Sequence, residues 1–221
     1  CYTDKFGIPR QPGLVKSATA ALELLSPYNQ PEALRGLEEF SHIWITFIFH
    51  QSISESWKAT VRPPRLGGND RIGVFASRSN FRPNPIGLSV VELLGIEGTV
   101  LNLGGGDFLD GTPVLDIKPY IPYADAICNA HGAFAHTAPA RVNTIEFLPE
   151  VEACLKKLET SERPALRKLI EDMLSYNPRP AYRDDEPQRT FGTRVFDLEV
   201  KWKQSGTTIQ VIQVGKSKGA P

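Results

Sequence analysis

Residues 40–50 read Phe-Ser-His-Ile-Trp-Ile-Thr-Phe-Ile-Phe-His, and no other run constrains the fold as tightly. In an extended chain Ile43, Ile45, Phe47 and Phe49 fall on one side, and Trp44, Thr46, Ile48 and His50 on the other. Both sides are largely apolar, so the strand belongs inside a structure covered on both faces, or in an interface. A short helix starting near Pro31, with Leu34 and Leu37 facing inward, is predicted to precede it. Strand-like runs recur at residues 72–76, 88–94, 100–103 and 114–118, with a hairpin-like turn at Glu97-Gly98. No long helical pattern interrupts residues 40–120, which favours a mainly antiparallel sheet or barrel over alternating βα units.

The character changes after Tyr120. Residues 122–139 are rich in Ala, Pro and His with little period, as in a linker or ordered loop. A strand is predicted over residues 142–147. Two amphipathic helices follow, one carrying Val151, Cys154, Leu155 and Leu158, the other Leu166, Leu169, Ile170, Met173 and Leu174. Residues 193–203 and 207–214 make a last hairpin turning at Ser205-Gly206. The expected organisation is a β domain over residues 1–122 and a smaller α+β domain over residues 123–221. No apolar run approaches the roughly 20 residues that cross a bilayer. Three cysteines (Cys1, Cys128, Cys154) are too scattered for a disulfide framework or a zinc site, so a cytoplasmic setting is expected.

The net charge is zero, which argues against indiscriminate polyanion binding. Its distribution is uneven: residues 57–84 carry +5, residues 85–160 carry −6, and residues 161–221 carry +3. Within residues 57–88 the cations are Lys58, Arg62, Arg65, Arg71, Arg78 and Arg82, set among the Gly67-Gly68 pair and four prolines. Guanidinium forks held on a stiff backbone suit phosphates and carboxylates.

Residues 78–87 read Arg-Ser-Asn-Phe-Arg-Pro-Asn-Pro-Ile-Gly, a loop between two strands. Pro83 and Pro85 restrict the backbone on either side of Asn84, whose amide can then meet a nucleobase edge; a rigid structural turn is the plainer alternative. Gly104, Gly105 and Gly106 let backbone approach a ligand closely, with Asp107 and Asp110 as acceptors beside them. The same pattern also suits a glycine-rich hairpin with turn aspartates. His50 and Gln51 end the long strand, where pocket groups often sit, although a lone histidine at a strand end is more often structural. Arg179, Tyr182 and Arg183 lie on a proline-stiffened exit from the second helix, a combination suited to RNA phosphates and bases; a solvated helix-exit loop is the plainer alternative. His42, His50, His131 and His136 have no metal-ligand spacing, and no nucleophile elbow or phosphate-binding loop is present.

The run Gly73-Val74-Phe75-Ala76-Ser77-Arg78-Ser79-Asn80-Phe81-Arg82-Pro83-Asn84 resembles the signature of the TrmO (TsaA-like) family. Further matches occur at Pro9-Arg10-Gln11-Pro12, Phe40-Ser41-His42-Ile43-Trp44, Arg62-Pro63-Pro64-Arg65, Asp110-Gly111-Thr112-Pro113 and Asp116-Ile117-Lys118-Pro119-Tyr120, with Asn177-Pro178-Arg179-Pro180-Ala181-Tyr182 near the end. The resemblance implies a single-sheet antiparallel β-barrel core and a homodimer with cofactor sites near the subunit interface. It implies methylation of N6 of threonylcarbamoyladenosine (t6A) at tRNA position 37, with S-adenosylmethionine as donor. It also implies a first β-strand ahead of Cys1, so an incomplete record is expected.

The implied cofactor contacts are Pro9, Arg10, Gln11, His50, Gln51, Arg78, Leu88 and Gly104 through Asp107. Asn84 or a loop carbonyl is the candidate for holding the N6 amine, and Asp107 or Asp110 for taking its proton through water, with no choice between the two. Arg65, Arg78 or Arg82 would hold the threonylcarbamoyl carboxylate, and Arg179, Tyr182 and Arg183 would meet tRNA. The competing functions are a non-catalytic RNA-binding module and a methyltransferase acting on a small molecule.

Overall fold

The structure, a computed structural model, describes residues 2, 8–9, 11–66, 70–176 and 189–217. It contains two compact units.

One unit comprises Arg10–Asp107 and Gly111–Thr137. Its main sheet is built from β1 (Thr19–Glu23), β2 (His42–Ile48), β5 (Ile86–Glu97), β6 (Val100–Gly104) and β7 (Val114–Pro119), with the two-residue ribbon β3 (Thr60–Val61) and β4 (Ile72–Gly73) inserted between β2 and β5. The sheet order is β1-β6-β5-β2-β7, and every pairing is antiparallel. Among the described residues β1 and β7 remain separate edges, so the sheet is open and the expected barrel closure is not seen. A short helix, α1 (Pro122–Asp125), follows β7. Its Asp125 carboxylate accepts from the Trp44 indole at 3.0 Å and from the Ile121 N–H at 2.8 Å, tying it back to β2.

Alternation decides which side of β2 is inside. Ile43, Ile45 and Phe47 are buried with Leu22, Val91, Leu101 and Leu103. The expectation that β2 would be covered on both sides is not met within one chain. Trp44, Thr46 and Ile48 are only half-buried, and Ile86, Leu88, Leu94 and Leu115 are about half exposed. Gly87 is required where β5 passes Phe47: an added Cβ would lie 2.3 Å from that ring.

Four local expectations change. Residues 19–23 form β1 although Thr-Ala-Ala-Leu-Glu has little β-propensity of its own; five antiparallel residue pairs with β6 supply the stabilisation instead. The helix expected near Pro31 is two separate 3₁₀ turns, Pro31–Leu34 and Leu37–Glu39, split by Gly36 in the left-handed region at φ 85°. The strand expected over 72–76 ends at Gly73, where Val74–Ala76 tightens into a 3₁₀ turn. The long strand expected over 193–203 is two strands, as described next.

The other unit comprises Cys1–Pro9, Phe108–Asp110 and Ala138–Pro221. Its sheet runs β8-β11-β10-β9, from β8 (Thr144–Phe147), β9 (Phe191–Val195), β10 (Leu198–Ser205) and β11 (Thr208–Lys216); β8 is parallel to β11 and the other pairs are antiparallel. Helices α2 (Pro149–Leu158) and α3 (Leu166–Ser175) supply Val151, Leu155, Leu166, Leu169, Ile170 and Leu174 to a core with Leu198, Val200, Trp202, Ile209 and Val211. The β9–β10 turn holds Phe196 at φ 54°, a costly conformation for a side chain of this size. Arg163 secures it with a two-pronged bond to Asp197, at 2.7 and 2.9 Å.

Candidate active site

The loop from Ser77 to Pro85 is built by its own hydroxyls and one arginine. Ser77 Oγ donates to the Val74 carbonyl at 2.8 Å, and the Ser79 and Phe81 N–H groups donate to the hydroxyls two residues earlier. Arg82 is half-buried and donates to the Ser77 and Ser79 carbonyls at 3.1 and 3.4 Å. The loop is then stapled to the exit of β2. Asn80 Nδ2 donates to Ser52 Oγ at 2.7 Å, and the Phe49 N–H to the Pro85 carbonyl at 2.7 Å. His50, half-buried, and Gln51, exposed, stand in this exit turn.

A second convergence lies at the end of β6. Gly104, Gly105 and Gly106 are buried. Gly105 has φ +71°, and an added Cβ there would stand 3.3 Å from Gly13 Cα. The Gly13 N–H donates to the Gly105 carbonyl, and the Gly105 N–H to the Ala18 carbonyl, both at 2.8 Å. The segment carrying Gln11 is thereby clipped to the glycine turn. Gln11 Oε1 accepts from Arg78 Nη1 at 2.7 Å, so Arg78 joins that segment to the 77–85 loop. The rest of the Arg78 side chain is exposed.

Asp107 completes the cluster. Its Oδ1 accepts from Ser89 Oγ at 2.6 Å, and Ser89 is only 2% exposed on the inward face of β5. Burial pushes the Asp107 carboxyl up from 3.8 to about 6, against the opposing pull of the Ser89 hydroxyl, its own backbone N–H and the positive charge of Arg78. A carboxylate with that value sits close to neutrality, which suits proton exchange near physiological pH.

The structure therefore brings Gln11, Arg78, Asp107 and the Gly104–Gly106 turn together. Ser89 is an addition that sequence reasoning missed. The available signal was a lone hydroxyl between Gly87 and Val91 on the buried face of a strand, where a polar group needs a partner. Asn84 is exposed, and its carbonyl accepts from the Ile86 N–H at 2.7 Å. Leu88 is 54% exposed and, by strand alternation, faces away from Ser89. Arg65 donates to the Thr137 carbonyl and, at 3.4 Å, to its hydroxyl. Asp110 falls in the other unit, where its N–H donates to the Tyr2 carbonyl at 2.8 Å; Pro9 falls in that unit too. Arg10, Arg179, Tyr182 and Arg183 lie outside the described residues. Among the described residues no group of three or more His, Cys, Asp or Glu could hold a metal ion.

The model of the tRNA-methyltransferase O N-terminal domain matches residues 1–126, and that of the TrmO C-terminal domain matches residues 140–217. The chain belongs to the TrmO family. It is 49% identical to the tRNA (adenine(37)-N6)-methyltransferase of Escherichia coli over 215 residues, 95% of this chain and 91% of that one. The Homo sapiens tRNA (adenine(37)-N6)-methyltransferase is 48% identical over 128 residues, 57% of this chain and 29% of that protein. A Pyrococcus abyssi relative named "Probable S-adenosyl-L-methionine-binding protein" is 40% identical over 118 residues, 53% of this chain and 61% of that one. A crystal structure of TrmO from Pseudomonas aeruginosa superimposes with a TM-score of 0.83 at 41% identity, covering 98% of this chain and 92% of that one. In this TrmO-family chain the matched N-terminal domain contains the whole Gln11–Arg78–Asp107–Ser89 cluster.

Proposed function

We propose that this protein is an S-adenosylmethionine-dependent tRNA (adenine(37)-N6)-methyltransferase acting on t6A at position 37. The observation that carries this function is 49% identity across 95% of the chain to the E. coli protein named tRNA (adenine(37)-N6)-methyltransferase. In this proposal residues 1–122 form the catalytic β domain, and residues 123–221 form a smaller domain that contacts tRNA in the cytoplasm.

The donor's fit is supported by the glycine turn, whose buried backbone lacks side chains where a ligand needs close approach, and by the Arg78–Gln11 pair. Gln11, His50, Gln51, Arg78 and Gly104 through Asp107 would hold it, with Pro9, Arg10 and Leu88 completing the set. When bound, S-adenosylmethionine supplies an electrophilic methyl group. The chain's own task is alignment and proton handling. Asp107 is the favoured acceptor for the N6 proton, because its carboxyl exchanges protons near pH 6 whereas Asp110 is exposed in the other unit. Asn84 would orient the amine. Arg78 is the favoured partner of the threonylcarbamoyl carboxylate, since Arg65 and Arg82 already bond to backbone carbonyls. The half-exposed apolar sheet face around Ile86, Leu88 and Leu94 supports a homodimer.

The test is methyl transfer from labelled S-adenosylmethionine to tRNA with and without the threonylcarbamoyl group, followed by mass spectrometry of position 37. Turnover confined to the modified tRNA is expected. Equal turnover on both would remove the carboxylate from recognition, and no transfer to either would refute the function.

A further inference from the structure

The connection between β2 and β5 carries an exposed aromatic pair that the cluster above leaves unused. Trp57 is 54% exposed and Phe75 74% exposed. Their ring centroids are 6.4 Å apart and their planes are tilted by 40°. Both are held from behind. The Val74 N–H donates to the Ala59 carbonyl at 2.9 Å, Thr60 pairs with Gly73, and Val74 is buried at 1%. That anchoring turns Phe75 outward beside Trp57, in a 3₁₀ turn that the Ser77 hydroxyl closes by donating to the Val74 carbonyl.

Cations outnumber the carboxylates Glu55 and Asp70 along the same connection. Lys58, Arg62 and Arg71 are exposed, and among the described residues no carboxylate forms an ion pair with any of them. Arg71 Nη1 donates to Thr60 Oγ1 at 3.2 Å, which keeps its charge on the same ribbon. Open aromatic faces within a positive field match a nucleic-acid strand with unstacked bases: the rings take a base and the cations take its phosphates. The same connection continues from Phe75 to Arg78, so a strand lying along it would lead to the cluster.

Resting on the tRNA methyltransferase function proposed above, we propose that Trp57 and Phe75 form a stacking platform for an unpaired nucleobase next to the target adenosine in the anticodon loop. The platform contributes affinity for the loop, and it is distinct from the donor-binding residues.

The experiment measures binding of a synthetic anticodon stem-loop to full-length protein without cofactor, by fluorescence anisotropy. Base–aromatic stacking predicts that Trp57→Ala and Phe75→Ala each weaken binding by about tenfold or more, while Trp57→Phe stays within about threefold. An abasic site beside the target position should weaken wild type and leave Trp57→Ala no weaker than before. Sedimentation should give the same assembly for all variants, and S-adenosylmethionine affinity should hold. Equal binding by wild type and both alanine variants would overturn the platform, as would an abasic penalty that persists undiminished in Trp57→Ala. A Trp57→Ala chain that loses self-association would show the face to be a subunit contact, which also overturns it. Stem-loop binding without methyl transfer by wild type would count against the enzyme function and leave the platform standing.

Discussion

Replacing Ser89 by alanine should move the pH dependence of the enzyme without unfolding it. The hydroxyl donates to Asp107 at 2.6 Å from a position 2% exposed, so the bond is charge-assisted and shielded. Such bonds contribute about 1.5–3 kcal/mol, which corresponds to roughly one to two pH units of carboxyl titration. The loss is felt by the ionised form alone. Asp107 should therefore rise from about 6 toward about 7–8. If Asp107 must be ionised to take the N6 proton, the acid limb of kcat/KM against pH moves up by the same amount. At pH 7 turnover should then fall several-fold, and at pH 9 it should return to near wild type. The assay is single-turnover methyl transfer to tRNA across pH 5–9, with Ser89→Thr as a control that keeps the hydroxyl. A variant slowed equally at every pH would refute the coupling, as would an acid limb that does not move. Stability carries a matching signature. The Asp107 carboxyl is raised above its unfolded value of 3.8, so the folded state favours its neutral form. That contribution is full below about pH 4 and is lost as pH rises through about 6, a cost of about 3 kcal/mol for a shift of about two units. Asp107→Asn should abolish this decline in urea unfolding.

Gly87→Ala should cost about 1–3 kcal/mol, read as a lower urea midpoint, because its Cβ would stand 2.3–2.8 Å from the Phe47 ring; an unchanged midpoint would mean the ring moves aside freely. Gly105→Ala should cost about 1–2 kcal/mol from its left-handed backbone, and it should also weaken S-adenosylmethionine binding by calorimetry, since the clip to Gly13 lies 3.3 Å from the new methyl. Asp197→Ala should cost about 1 kcal/mol, less than a buried charged bond, because the Asp197 side chain is 38% exposed and solvent screens the pair. Thermal denaturation checks it, and a loss confined to the β9–β10 hairpin should appear as faster amide exchange there.

Periodicity carried most of the fold. The alternation through β2 located the strand and put Ile43, Ile45 and Phe47 together on one side, although the opposite side is half-exposed rather than covered, and the 3.6-residue repeats placed both C-terminal helices. Where local pattern failed, a distant partner was deciding. β1 exists because β6 offers it a complete antiparallel ladder. The β9–β10 turn has no glycine, and alternation runs unbroken through Phe196 and Asp197; the turn is held by Arg163, far away in the chain. Gly36 was legible as a glycine, but not as the left-handed break that divides one expected helix into two turns.

The site divides along the same line. Candidates for it were visible by composition: the Gly104–Gly106 turn, the arginines of the proline-rich loop and the two turn aspartates, of which Arg78 and Asp107 join the cluster. Their assignments depend on through-space neighbours that spacing cannot supply. Arg78 and Arg82 stand four residues apart in one loop, yet Arg82 spends its donors on the loop's own carbonyls while Arg78 reaches Gln11. Asp107 and Asp110 are equivalent on paper, yet Asp107 is half-buried, bonded to the Ser89 hydroxyl and raised to about 6, while Asp110 is exposed. Three separate segments set that shift: the turn that buries the carboxyl, the strand that presents Ser89, and the loop that carries Arg78. A group tuned by several remote contributors responds to each of them. Substitution of Ser89 or Arg78 should thus alter the pH optimum before it alters the fold, and a survey restricted to residues touching substrate would miss that response.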